Sequence, residues 1–499
     1  MRTVLFGKKK VVALAAACLS SLMFGLEISS VPVILPTLEE VLRGNFRDMQ
    51  WIMNAYTIAC TTVLMAAGTL ADRYGRRRIF IISVALFGAT SLVCGLARGV
   101  GVLIVSRALQ GVSGGAMLIC QVAVLSQLFG SGRERSVAFG WWGIVFGVGL
   151  GFGPIIGGLI VAVSSWEWVF LVHVALAVVV LVLIVAGVEE SSDPLAQRLD
   201  MGGIVSLSVA VFCLTWWITQ GGVVVAGVAV VSFIAFLRVE RMHARPMFDF
   251  SVFRIREFSG AILGSMGMNF SFWPFMIYLP IYFQMGLGYG AVKAGLSLLA
   301  YTLPTLVVAP VGERLALRYR PGNVIPLGMF TIGAGFLLMR WGCGVSGAGW
   351  VTLLPGELMA GIGLGLTNTT VTNTTTGAVA DERAGMASGI DMSARLITLA
   401  INIALMGVIL VEGVYGYLER VVGGSGEGLR RMAEDIAAGH SGQGGVARGA
   451  LVHGFEGVLL YGGVGVMVLA GLSFVIFNKK NRVVDVQECD ACVQKRNRH

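Results

Sequence analysis

The stretch Gly68-Thr69-Leu70-Ala71-Asp72-Arg73-Tyr74-Gly75-Arg76-Arg77-Arg78 is a short cationic turn between two long apolar runs, at about 49–70 and 79–97. Arginines clustered at the edge of an apolar run mark the cytoplasmic face of a membrane. The acid among them is more than such anchoring requires. Asp72 can pair with a neighbouring helix end or with an arginine, while Gly68 and Gly75 permit close approach and a tight turn. A cluster of this kind suits a latch that holds one conformation and opens in another.

Outward from this turn the same alternation continues. Of the 499 residues, 56% are hydrophobic and 13% charged, against roughly 25% charged in soluble domains. Mean hydropathy is +0.80. Too few charges remain to coat soluble domains of this total length, which excludes an ordinary cytosolic enzyme, a disordered scaffold and a nucleic-acid-binding protein. With about 20 apolar residues needed per span, fourteen runs qualify: 11–36, 49–70, 79–97, 101–127, 136–163, 168–188, 201–219, 222–238, 259–284, 292–312, 323–341, 350–379, 387–413 and 456–477. The first is long enough to span and carries no small-residue cleavage site. The seventh and eighth, parted only by Gln220-Gly221, read as a tight helical hairpin.

The net charge of +9 lies between the apolar runs rather than in one patch. With the N-terminus placed inside, 26 of the 37 lysines and arginines fall in inside segments and nine in outside ones. Arg107 and Arg395 lie within spans. That bias sets the orientation, and an even span count returns the C-terminus to the cytoplasm. The long outside loop, about 414–455, reads as a flexible spacer, with a short surface helix over Glu427–Ala438 as the alternative. Six of the eight cysteines sit in apolar stretches, and Cys489 and Cys492 form a lone C-x-x-C in the polar tail. That is half a zinc site with nothing to complete it, so no metal and no cofactor is expected.

Two further stretches carry chemistry. Arg107 lies in Leu103-Ile104-Val105-Ser106-Arg107-Ala108-Leu109-Gln110-Gly111-Val112-Ser113-Gly114-Gly115. An arginine within a span costs about 2.5–3.5 kcal/mol on insertion scales and needs a partner or water. Glu27, in the first span, is the natural candidate, and snorkelling to the interface is the alternative. The fifth span holds Gly147, Gly149, Gly151, Gly153-Pro154 and Gly157-Gly158. Small residues allow close helix packing and proline bends a helix, as a hinge or a seam requires.

Together these stretches resemble the major facilitator superfamily, and within it the fourteen-span drug:proton antiporter branch of the multidrug efflux type. Gly68–Arg77 is similar to its loop motif after the second helix, Leu103–Gly115 to the fourth-helix motif built on R-x-x-Q-G, and Gly149–Gly158 to the antiporter motif G-x-x-x-G-P-x-x-G-G. Leu26-Glu27-Ile28-Ser29 through Leu35-Pro36 and Trp51-Ile52-Met53-Asn54-Ala55-Tyr56 also look typical. The resemblance runs from about residue 11 to 477. The chain departs from the pattern at Glu27, where aspartate is usual, at Pro32, and in the second-half echo Glu313–Tyr319, where Leu317 replaces an acid. In the thirteenth span Arg395 matches a family arginine, with Asp391 one turn before it, but Thr398 and Asn402 stand where glycine is common.

The resemblance implies an all-α integral membrane protein of the major facilitator fold with 14 transmembrane helices: two six-helix bundles plus two additional helices. The expected parts are 1–188, the N-terminal bundle; 189–258, a linker with spans 7 and 8; 259–477, the C-terminal bundle; and 478–499, a cytoplasmic tail. Rocking of the bundles would alternate access to a central cavity. The implied function is proton-coupled export of small hydrophobic or cationic compounds across the plasma membrane, or the inner membrane of a Gram-negative source. Glu27, Arg107 and Gln110 would couple protons. Gly68, Asp72, Arg73, Gly75, Arg76 and Arg77 would form the latch, and Gly149, Gly153, Pro154, Gly157 and Gly158 the seam. Trp51, Tyr56, Trp142, Phe270, Trp273 and Tyr278 are candidates to stack on substrate. The implied partners are the small-molecule substrate, protons and the lipid bilayer, with the chain a monomer, no nucleic acid and no accessory export protein specified. A dedicated exporter of one metabolite, such as a siderophore or an amino acid, and a transport-inactive sensor are the alternatives. No G-x-x-x-x-G-K-[ST] or H-E-x-x-H is present to support ATP-driven transport or a zinc enzyme.

Overall fold

The computed structural model describes residues 7–129, 133–192, 201–242, 250–345, 347–379, 384–423, 426–438 and 445–478. Cys489 and Cys492 lie outside these residues, as do parts of the 189–258 segment. The described chain is all helix and connection. The helices are α1 Lys8–Leu42, α2 Phe46–Tyr74, α3 Arg76–Gly95, α4 Val100–Leu128, α5 Arg133–Val163, α6 Glu167–Gly187, α7 Met201–Gln220, α8 Val223–Met242 and α9 Arg256–Phe270. They continue with α10 Phe272–Ile281, α11 Ala291–Ser297, α12 Leu299–Tyr319, α13 Pro321–Gly344, α14 Trp350–Gly377, α15 Ala384–Val422, α16 Glu427–Ala438 and α17 Gly445–Asn478.

Eleven stretches among the described residues are long and apolar enough to cross a membrane. The other three expected runs are helical too, but each departs from a simple span. α2 carries Asn54, Thr57 and Thr61 among its apolar residues. The apolar part of α7, Gly202–Ile218, is short. The run 259–284 is broken at Ser271 into α9 and α10, and ends in a π turn over Tyr282–Gly286. Proline explains the break: Pro274 has no N–H for the carbonyl of Phe270, four residues back, so the helix restarts with proline in its first turn.

Helices α1–α6 pack among themselves, with α1 on α4, α5 and α6, and α4 on α2 and α3. A second bundle is built on α14, which lies against α9, α12, α13 and α15, and on α17, which lies against α9, α13 and α15. Between them α7 packs on α2 and α15. Many apolar side chains face outward, among them Val163, Val223, Val224 and Val231, as a lipid-facing surface demands and a water-facing one does not.

The loop expected as a flexible spacer over 414–455 is largely helical. α15 continues to Val422, α16 spans Glu427–Ala438 and α17 begins at Gly445. Ala433, Ile436 and Ala437 fall on one face of α16 and are buried, the spacing of an amphipathic helix docked on its neighbour. Arg47 of α2 reaches Glu434 at 2.6 Å. This contact lies where α1 turns into α2 at Arg43, the Arg43 end; the Gly75 turn lies at the opposite end. Near the Arg43 end the bundles are also joined by Gln50 Nε2, which donates to Tyr278 Oη at 3.0 Å, and by Gln284 Nε2, which donates to the Val33 carbonyl at 3.0 Å. Tyr278 in turn donates to the Ile403 carbonyl.

Candidate functional site

α4 carries Arg107 into the first bundle, and α1 brings Glu27 to meet it. Neither side chain has exposed surface, and Arg107 Nη1 pairs with Glu27 Oε1. The guanidinium is held from three further directions. Nη1 donates to Gln110 Oε1 at 2.7 Å, Nε donates to the Ile52 carbonyl at 3.1 Å, and Cζ lies 4.3 Å from the Tyr56 ring centre. Gln110 is fixed in its turn, its Nε2 donating to Ser91 Oγ at 2.8 Å. Helical periodicity makes this arrangement: Arg107 and Gln110, three residues apart, share one face of α4, and a planar guanidinium can serve several acceptors at once.

His173 of α6 completes the site and was not singled out in the sequence. Its Nδ1 lies 3.5 Å from Glu27 Oε2 and 3.0 Å from the Val169 carbonyl, and its Nε2 lies 3.2 Å from the Met23 carbonyl. The available signal was an ionisable residue inside an apolar run, which rarely lies there without a role.

A small, mostly apolar cavity opens between the bundles next to this network. It is lined by Ile28 and Pro32 of α1, Met53, Tyr56 and Thr57 of α2, Trp273, Met276 and Ile277 of α10, and Leu396, Leu399 and Ile403 of α15. Tyr56 thus faces Arg107 and the cavity together. Of the six aromatic candidates, Tyr56 and Trp273 line this cavity. Trp51 packs on Phe212 and Trp216 of α7, with ring centres 5.6 and 5.5 Å apart. Trp142 stacks on Phe146, Phe270 packs on Tyr461 of α17, and Tyr278 belongs to the contact at the Arg43 end.

The glycines of α5 form a seam against α1. Ser29 Oγ donates to the Gly149 carbonyl at 3.0 Å. A methyl group on Gly149 would lie 2.8 Å from the Leu22 carbonyl, and one on Gly157 would lie 2.9 Å from Ser30. Gly153 faces Ser29, and Gly158 is buried. On the other side of α5, the Gly151 carbonyl accepts from Thr302 Oγ1 of α12 at 3.1 Å, and Pro154 abuts Gly295 of α11. One helix therefore touches both bundles.

At the cationic turn, Gly75 has φ +109°, and a methyl group there would sit 2.5 Å from Glu190 Oε1. The Glu190 carboxylate accepts from the Arg77 backbone N–H at 3.1 Å, and its Oε2 lies 3.6 Å from Arg78 Nε. The Arg76 N–H donates to the Ser191 carbonyl at 2.9 Å, and Arg77 Nη2 to the Val185 carbonyl at 2.9 Å. The turn is thus docked on the segment after α6. Arg73 lies over the Tyr74 ring, and Gly68 is partly buried on α2. The Asp72 side chain lies outside the described residues.

A sequence model of the Major Facilitator Superfamily matches residues 17–401. The chain belongs to the major facilitator superfamily. It is 30% identical over 421 residues to multidrug resistance protein Stp of Mycobacterium tuberculosis, covering 83% of this chain and 78% of that one. It is 32% identical over 422 residues to the tetracenomycin C resistance and export protein of Streptomyces glaucescens, covering 80% and 76%. Among solved structures, the human organic anion transporter MFSD10 matches with a TM-score of 0.62 at 13% identity, covering 94% of this chain and 99% of that one. Major facilitator membership accounts for the two bundles and the cavity between them. The network on Glu27, Arg107, Gln110 and His173 lies beside that cavity in this superfamily member.

Proposed function

We propose that this chain is a proton-coupled exporter of small hydrophobic or cationic compounds, of the multidrug efflux type, working by alternating access. In this reading it spans the plasma membrane fourteen times, with both termini in the cytoplasm and a hairpin of α7 and α8 between two six-helix bundles. The observation that carries it is a fully buried carboxylate–guanidinium pair next to an apolar cavity shared by both bundles. A carboxylate in such a place can hold either a proton or its arginine partner. When Glu27 is ionised, Arg107 neutralises it. When Glu27 takes a proton, Gln110 and the Ile52 carbonyl still hold the guanidinium. Opening the cavity to water on one side or the other changes the environment of both charges, so Glu27 takes a proton outside and gives it up inside. A cationic or polar substrate in the cavity favours release of the proton.

In this orientation the Arg43 end faces the exterior, and the contacts of Gln50, Tyr278 and Arg47 close that side. The seam of α5 is where the bundles rock, and the turn at Asp72 to Arg77 latches the cytoplasmic side. Tyr56 and Trp273 offer aromatic faces to a flat cationic substrate. The names of the relatives support the reading, two of them a multidrug resistance protein and an export protein. A dedicated exporter of one compound is favoured by the second relative, whose name specifies tetracenomycin C. A compound-susceptibility panel on cells with and without the chain, repeated with a protonophore, tests the proposal. Broad resistance abolished by the protonophore is expected. Resistance that survives the protonophore contradicts it.

A further inference from the structure

The second bundle repeats the first helix by helix, and the repeat gives Arg107 an acidic counterpart. Arg107 is the eighth residue of α4, and Glu357 is the eighth of α14. One turn on, a methyl group on Gly111 would run into the Tyr56 carbonyl of α2, and one on Gly361 would lie 2.6 Å from the Tyr301 carbonyl of α12. A turn further, Gly115 faces the Cys60 carbonyl at 2.8 Å, and Gly365 the Thr305 carbonyl at 3.1 Å. α14 therefore lies on α12 as α4 lies on α2. Tyr301 takes the place of Tyr56, and Glu357 takes the place of Arg107.

Arg107 is met by a carboxylate, an amide oxygen and a carbonyl. Glu357 is equally buried, yet neither of its oxygens has a hydrogen-bond partner among the described residues. Its charge would reach the Tyr301 hydroxyl of α12, which donates elsewhere, to the Phe272 carbonyl at 2.9 Å, and the Cys343 thiol of α13. α15 also packs on α14, but its cations are engaged elsewhere, Arg395 with Asn368 and Thr372 about three turns or more along α14 and Arg420 with the Gly416 carbonyl. Among the described residues no cation lies within ion-pair distance of Glu357. A bare carboxylate in dry surroundings with neither cation nor donor is far costlier than the protonated acid.

We propose that Glu357 is a second proton-binding carboxyl, loaded when the second bundle is packed as here and emptied when the packing of α12, α13 and α14 opens. The inference rests on the proton-coupled reading and extends it to a second proton per cycle. The step makes and breaks only a carboxyl O–H bond, with water as the source and sink of the proton. The Cys343 thiol is within electrostatic reach of both Glu357 and Glu456, and Glu456 Oε2 is 3.7 Å from Nδ1 of the partly exposed His453, so in this proposal the proton exchanges with water toward the Arg43 end.

The test uses the purified full-length chain in lipid nanodiscs and needs no substrate. Infrared spectra are recorded through a pH titration, and proton uptake is counted after an acid pulse, for the wild type and for Glu357→Gln, Glu357→Asp and Glu27→Gln. The inference expects a protonated-carboxyl band in the wild type that titrates away in alkali. It expects that band to be absent from Glu357→Gln, shifted in Glu357→Asp, and accompanied by one proton fewer taken up by Glu357→Gln. A wild-type band that never titrates, or equal uptake by Glu357→Gln and wild type, overturns it and leaves the reading of Glu27 standing. Uptake undiminished in Glu27→Gln counts against that reading instead, while Glu357→Gln still decides this one. If Glu357→Gln fails to fold, the wild-type titration and the shifted band of Glu357→Asp decide.

Discussion

Arg107 on α4 and Glu27 on α1 form an ion pair in which neither side chain has any exposed surface. Such a pair contributes little net stability against an apolar replacement, but removing one partner strands the other charge. Arg107→Ala should therefore destabilise the fold by about 3–5 kcal/mol, while Glu27→Gln, which keeps an acceptor for the guanidinium, should cost clearly less. Arg107→Lys should not restore function, because an ammonium cannot meet Glu27, Gln110 and the Ile52 carbonyl in the same plane. Thermal unfolding of the purified variants checks the order. An Arg107→Ala protein as stable as Glu27→Gln would mean the pair is not sealed from water.

The seam between α1 and α5 is set by backbone approaching backbone. A methyl group at Gly149 would sit 2.8 Å from the Leu22 carbonyl, whereas one at Gly143, on the same helix, meets nothing within 4 Å. Gly149→Ala should cost about 1–3 kcal/mol by overpacking, and Gly143→Ala should be neutral or slightly stabilising. Folded yield and melting temperature of the two variants test this directly. Equal behaviour would show that the helices can slide apart without loss.

The cationic turn is held by a glycine and an acid from elsewhere in the chain. Gly75→Ala combines an unfavourable φ of +109° with a collision against Glu190, so a loss of about 1–3 kcal/mol is expected. If the Asp72 carboxylate closes a charge-assisted contact in one state, Asp72→Asn should instead cut the transport rate while membrane insertion and substrate binding stay near normal. Transport at the wild-type rate would reduce the turn to a topological anchor.

Much of the architecture was legible because it is written in local patterns. Every apolar run found in the sequence is helical, since length and composition act on each segment by itself. Glu27 was the nearest acid for Arg107 because α1 holds so few polar residues. What the sequence did not disclose depends on tertiary packing. The helix break at Ser271 follows from Pro274, yet proline inside α1, at Pro32 and Pro36, breaks nothing. The loop 414–455 reads as a spacer, with a surface helix over Glu427–Ala438 only the alternative, until α15 offers that helix's apolar face a partner. His173 and Glu357 carry only the signal of an ionisable residue inside an apolar run, Glu190 carries none, and the neighbours of all three come from helices distant in sequence.

The orientation follows from lysine and arginine alone and is open to a simple check. A reporter fused after Lys480 should be cytoplasmic, and one inserted near Gly442 should be exterior. The opposite result at either site would undo the charge assignment and the fourteen-span count with it.

The central claim is that Glu27 couples proton movement to export, and one reconstitution experiment addresses it most directly. Wild type and Glu27→Gln are placed in proteoliposomes with the membrane potential clamped to zero by valinomycin and equal potassium. A proton gradient is then imposed in the presence of ethidium, a flat lipophilic cation, and a neutral aromatic analogue of it. The account predicts that wild type concentrates both compounds against their gradients. It predicts that Glu27→Gln still binds them, with an affinity that no longer changes with pH, and concentrates neither. If Glu27→Gln still concentrates the neutral compound under the same proton gradient, the coupling carboxyl is not Glu27 and the account is wrong.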